Sequence, residues 1–98
     1  MSKIDLTVAH CFSQDEALQR AHGLLERIQK QFAGTITDLQ QKWDGNTDTF
    51  SFSVMGLSVS GKLTVEQSEV NLTAALPFAA VFFKDQIEAF IRKELENL

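Results

Sequence analysis

The stretch FSFSVMGLSVSGKLTVEQSEVNLTAAL, residues 50–76, decides the fold. Phe50, Phe52 and Val54 alternate with Ser51 and Ser53. Leu57, Val59, Gly61, Leu63 and Val65 alternate with Ser58, Ser60, Lys62, Thr64 and Glu66. Val70, Leu72, Ala74 and Leu76 alternate with Asn71, Thr73 and Ala75. Neighbouring residues of a strand face opposite sides, so each run is a strand with one apolar face and one Ser/Thr/Asn-rich face. The turns between them, Met55-Gly56 and Gln67-Ser68-Glu69, are short, and short turns between alternating strands make antiparallel hairpins.

Upstream, Ile36 to Trp43 reads as a further strand whose imperfect alternation suits a bulge. Asp44-Gly45-Asn46-Thr47-Asp48 reads as the turn that follows it. Ile4, Leu6 and Val8 alternate with Asp5, Thr7 and Ala9 and form a first strand. Ser13-Gln14-Asp15-Glu16 is a capping box: the Ser13 hydroxyl accepts from the Glu16 amide, and the Glu16 carboxylate reaches back. Phe12 is placed to staple onto Ala17. Ala17, Leu18, Ala21, Leu24, Leu25, Ile28 and Phe32 make the buried stripe of the helix, which Gly34 ends. Pro77 ends the last strand. A second helix follows from about Ala79 to Asn97, with Ala80, Phe83, Ile87, Phe90, Ile91, Leu95 and Leu98 on its buried face. Arg92 and Lys93 near its C-terminus suit the helix dipole.

The expected fold is a single α+β domain over residues 1–98, in the order β-α-β-β-β-β-α. A curved antiparallel meander carries both helices on its apolar face, giving two layers. The order resembles a trimmed helix-grip arrangement, a likeness of fold alone.

Composition narrows the function. The net charge is −4 and the nine Lys and Arg residues are scattered among acids. Nucleic-acid binding needs a basic stripe to displace counterions, so no nucleic-acid partner is expected. The lone Cys11 excludes an intramolecular disulfide and suits a reducing compartment. Lys3 and Asp5 near the start, with no apolar stretch beside them, argue against a signal peptide. The longest apolar run, Ala74 to Phe83, is ten residues and contains Pro77, whereas a membrane-spanning helix needs about 20. The expected location is the cytoplasm.

No catalytic constellation emerges. His10 and Cys11 are adjacent in a strand and point to opposite faces, so they cannot pair as base and thiol unless the strand ends first. His10 and His22 are the only histidines, and no cluster has metal-ligand spacing. The expectation is therefore no enzyme activity, no metal and no cofactor. His10 reads as a half-buried residue hydrogen-bonded to backbone, or, more sharply, as a polar anchor at a pocket rim. Trp43 reads as a plug at the end of the sheet whose indole N–H finds a carbonyl, with a ligand contact as the alternative.

The segment Leu76-Pro77-Phe78-Ala79-Ala80-Val81-Phe82-Phe83 is too apolar for one helix face to bury. Phe78, Val81 and Phe82 either fill the open end of the sheet against Trp43 or form an exposed patch for a dimer partner or an apolar surface. Small Gly61 and Ala74 on the inward face either admit a helix closely or leave room for a ligand.

His10, the Ser13-x-x-Glu16-Ala17 helix start, Trp43-Asp44-Gly45, Phe50-x-Phe52, Gly56-x-x-x-x-Gly61 and the closing Leu76…Ile87-Glu88…Ile91…Leu95 together resemble the polyhydroxyalkanoic acid system (granule-region) family of small bacterial proteins. The likeness runs over nearly the whole chain, with Pro77 standing where the family usually has glycine. It implies an association with polyhydroxyalkanoate storage and supplies no catalytic residues. The leading expectation is a non-enzymatic accessory protein that binds the granule surface or granule proteins through Phe78, Val81 and Phe82, with homodimerisation compatible. The alternative is a carrier of an apolar, fatty-acyl-like ligand. Its cavity would be lined by Phe50, Val59, Gly61, Leu72, Ala74 and Ile87, with His10 and Trp43 at the rim.

Overall fold

The computed structural model describes residues 2–32, 34–54, 56–77, 82 and 84–98. Strand β1 is Ser2–Ala9, β2 Ile36–Asp44, β3 Thr47–Val54, β4 Leu57–Val65 and β5 Glu69–Leu76; helix α1 is Gln14–His22, α2 Leu24–Gln31 and α3 Lys84–Glu96. All neighbouring strands are antiparallel, and the sheet order is β1-β5-β4-β3-β2. The α+β architecture and the order read from the alternation are those observed. β1 adds to the far side of the meander, pairing Leu6 with Leu72 and Ile4 with Ala74.

The first helix differs from expectation in two ways. The first helix breaks at Gly23, whose N–H bonds the carbonyl of Ala21 instead of one four residues back. Glycine is a weak helix former, so the chain bends there into α1 and α2 at low cost. The capping box is half made. The Glu16 N–H donates to Ser13 Oγ at 3.1 Å, but the Glu16 carboxylate accepts from Arg20 at 3.1 Å. An Arg partner one turn along attracts the carboxylate more strongly than a neutral amide does.

The bulge in β2 lies between Thr37 and Gln40, with Asp38 at φ 55°. Asp tolerates this left-handed conformation better than most residues. The extra residue switches parity, so Ile36 and then Leu39, Gln41 and Trp43 face the helices. Without it, either Ile36 or Trp43 would point to the Ser/Thr-rich face. The β2–β3 turn is tighter than expected: Asp44 pairs with Thr47 across Gly45 (φ 62°) and Asn46. Asp48 therefore belongs to β3 and not to the turn, and its side chain is buried.

The core lies between the sheet and the helices. Ile4, Leu6, Leu63, Val65, Val70, Leu72 and Leu76 meet Ala17, Ala21, Leu24 and Leu95 there. The end of β1 is tied to the β4–β5 turn: the His10 N–H donates to the Ser68 carbonyl at 2.9 Å. Arg20 donates to the Leu98 carbonyl at 3.0 Å and lies 4.2 Å above the Phe12 ring, which joins α1 to the end of the α3 segment. The expected second helix is described from Lys84; Ala79, Ala80 and Phe83 lie outside the described residues.

Candidate functional site

Along α3 the packing is uneven. Leu95 is buried, whereas Ile87, Phe90 and Ile91, on the same face one and two turns earlier, are only half-buried. The space they overhang is a cavity of about 510 Å³ between the sheet, α2 and α3. Phe50, Phe52 and Val59 form part of its floor, Leu25 and Ile28 of α2 one wall, and Ile87 and Ile91 of α3 the other. Phe32 and Phe90, both lining residues, meet edge to face with centroids 5.2 Å apart, linking the end of α2 to α3. The space opens to solvent on one side and is lined almost wholly by apolar side chains. Its polar lining residues are Thr35, Gln86 and Glu94, all at least partly exposed and so at its edge.

Of the residues singled out from the sequence, Phe50, Val59, Leu72, Ala74 and Ile87 line this cavity. Gly61 does not, because the Phe50 ring covers it: a Cβ on Gly61 would come 2.9 Å from Phe50 Cζ. Its small size admits a neighbouring aromatic ring, not a helix or a ligand. His10 also lies away from the cavity. Its Nε2 donates to the Glu66 carbonyl at 3.0 Å, while its Nδ1 accepts from the Phe12 N–H at 3.2 Å. A carbonyl can only accept and an amide N–H only donate, so the ring is the neutral Nε2–H tautomer with both nitrogens engaged. Cys11 beside it is exposed.

Trp43 belongs to a second, more polar depression of about 570 Å³ at the β2 edge, which it lines with His22, Glu26, Gln29, Lys30, Leu39 and Gln41. Its ring stacks on His22, with centroids 4.1 Å apart and planes 7° from parallel. Its indole N–H has no hydrogen-bond partner among the described residues. Of the apolar patch, Phe82 is 84% exposed, and Phe78 and Val81 lie outside the described residues.

Two polar groups escaped the reading of the sequence. Asp48, opposite Trp43 on β3, is fully buried, and neither carboxylate oxygen has a hydrogen-bond partner. Burial pushes its carboxyl above the ordinary range, against the opposing pull of the Lys42 backbone amide and the His22 imidazole. The oxygen of Gln41 is also buried without a partner. Running the 54-52-50 alternation back one more step reaches Asp48; the turn-like composition around it masked that signal. Gln41 could be found only by placing the bulge.

Among the described residues, no group of three or more His, Cys, Asp or Glu could hold a metal ion. No helix among them is long and apolar enough to cross a membrane. No curated protein matches the chain. A family model described as "putative polyhydroxyalkanoic acid system protein" matches residues 4–98, nearly the whole chain. On that match the chain belongs to the polyhydroxyalkanoic acid system family.

Proposed function

We propose that this protein is a non-catalytic binding protein of the polyhydroxyalkanoate system whose cavity takes an apolar acyl chain. The observation that carries this reading is the space of about 510 Å³ under α3. Its size lies within the ~300–1,000 Å³ typical of small-molecule sites, and such sites are mostly apolar with a few polar groups. An aliphatic chain there would cover the half-exposed faces of Ile87, Phe90 and Ile91, at about 0.8 kcal/mol per buried methylene. The engagement of both His10 nitrogens with backbone supports a binding role over thiol chemistry at Cys11. Cytoplasmic location is part of the same proposal.

Calorimetric titration with octanoate, methyl octanoate and the S-ethyl thioester of octanoic acid tests it. Saturable binding of at least one is expected, and Ile87→Trp, which projects a larger ring into the space, removes it while the protein stays folded. No binding by any of the three overturns the reading.

Phe82, 84% exposed, favours a second reading: docking on the granule surface or a granule protein through Phe78, Val81 and Phe82. Co-sedimentation with isolated granules tests this. Wild type is expected in the pellet and Phe82→Ser in the supernatant; wild type wholly in the supernatant excludes it. Light scattering on the same samples reports whether a homodimer forms.

A further inference from the structure

Among the described residues, burial grades in one direction along the cavity. On the sheet, Val54, Phe52 and Leu57 are half-buried beside the β3–β4 turn, whereas Phe50 and Val59, further along the same strands, are buried. Helix α2 grades the same way. Its first residues, Leu24 and Leu25, are buried, and Ile28, a turn nearer the start of β2, is half-buried. That strand begins with Ile36 paired to Val54, so the less buried ends of α2 and the sheet coincide. The opposite end is blind. Phe50 pairs with Gly61 and Gly61 with Ala74, which makes one row across the floor. The row beyond it holds Asp48 and Leu63, both fully buried and neither lining the cavity. Within the last lined row Gly61 has no side chain and Ala74 a single methyl, so the Phe50 ring fills the blind end there. Phe50 lines the cavity and Gly61, beneath its ring, does not. The Cζ of Phe50 stands 2.9 Å from where a Gly61 Cβ would be. Four strand residues separate Val54 from Phe50, about 13 Å at ~3.3 Å each, the reach of a medium-length acyl chain.

Resting on the acyl-chain reading above, we infer that the chain enters methyl end first beside the β3–β4 turn and that Phe50 fixes the longest chain the cavity accepts. The polar head stays at the less buried end, where water solvates it, because an unpaired polar group is costly to bury. Each methylene that finds room inside leaves water and tightens binding about fourfold. A methylene that meets the Phe50 ring gains nothing, since the next row is already packed. Cutting the ring back joins the space over Gly61 to the cavity and makes room for a longer chain.

Calorimetric titration with chains of six to fourteen carbons, all carrying whichever of the three head groups named above binds best, tests this. In the wild type, affinity is expected to rise about fourfold per methylene and to level off by about twelve carbons. In Phe50→Leu the levelling moves at least two carbons longer, and the first chains past the wild-type limit gain at least about tenfold. Leu63→Ala, which opens space away from the cavity, keeps the wild-type limit. Phe50→Met, a milder change at the same place, gives the same shift should Phe50→Leu not fold. A limit unchanged in the Phe50 variants, or moved equally by Leu63→Ala, overturns the role of Phe50 and leaves the acyl-chain reading standing. So does a wild-type affinity that climbs without levelling. Failure of every chain to bind overturns both.

Discussion

The ring of Phe50 lies across Gly61 on the adjacent strand, its Cζ 2.9 Å from where a Gly61 Cβ would sit. This contact makes an aromatic face, not open backbone, the floor of the cavity. The same absent Cβ would also meet backbone, with Ala74 Cα at 2.9 Å and the Thr73 carbonyl closer still.

Gly61→Ala is therefore expected to destabilise the domain by about 1–3 kcal/mol, the usual cost of overpacking. Pairing it with Phe50→Leu recovers only part of the loss, because the strand backbone cannot swing aside as a ring can. Urea unfolding of the single and double variants measures both.

The cavity predicts unequal costs for truncating similar side chains. Leu63 is fully buried and lies away from the cavity, so Leu63→Ala should cost about 2–5 kcal/mol. Ile87 already faces empty space on one side and has fewer contacts to lose, so Ile87→Ala should cost about 1 kcal/mol. Equal costs in urea unfolding would mean that the space under α3 is filled in solution.

Ser13 and Glu16 separate in the same way. Ser13→Ala removes the acceptor for the Glu16 amide and should cost about 1 kcal/mol. Glu16→Gln leaves that cap intact and loses only an exposed pair with Arg20, so it should cost less than about 0.5 kcal/mol. A full reciprocal capping box would make the second loss resemble the first. Thermal midpoints of the two variants decide.

Asp48 sets a pH dependence. Burial raises its folded pKa above that of the unfolded chain, so the folded state holds the proton more tightly. Stability then falls as pH rises from the ordinary carboxylate range through the higher folded value, and stays lowered above it. Asp48→Asn abolishes this contribution. At neutral pH it should be more stable than wild type, because the amide carries no charge for burial to penalise. The difference should shrink in acid. Unfolding curves from mildly acidic to neutral pH test the sign.

Strands β3, β4 and β5, their antiparallel pairing and the side each presents to the helices were legible because the alternation over residues 50–76 has a period of two. Strand geometry turns that period directly into two faces. The Ser13 cap was legible for a similar reason: hydroxyl and amide lie within one turn of each other. Tertiary structure decided what depends on contacts distant in sequence. The bulge at Asp38 brings Leu39 and Trp43 onto the helical face. The Phe50 ring occupies the space over Gly61. The bend at Gly23 accompanies a change of direction between α1 and α2. The cavity is the clearest case. Apolar periodicity says which side chains turn inward, and Phe50, Val59, Ala74 and Ile87 do. Whether inward side chains meet depends on how far α3 stands from the sheet, which local sequence pattern does not encode.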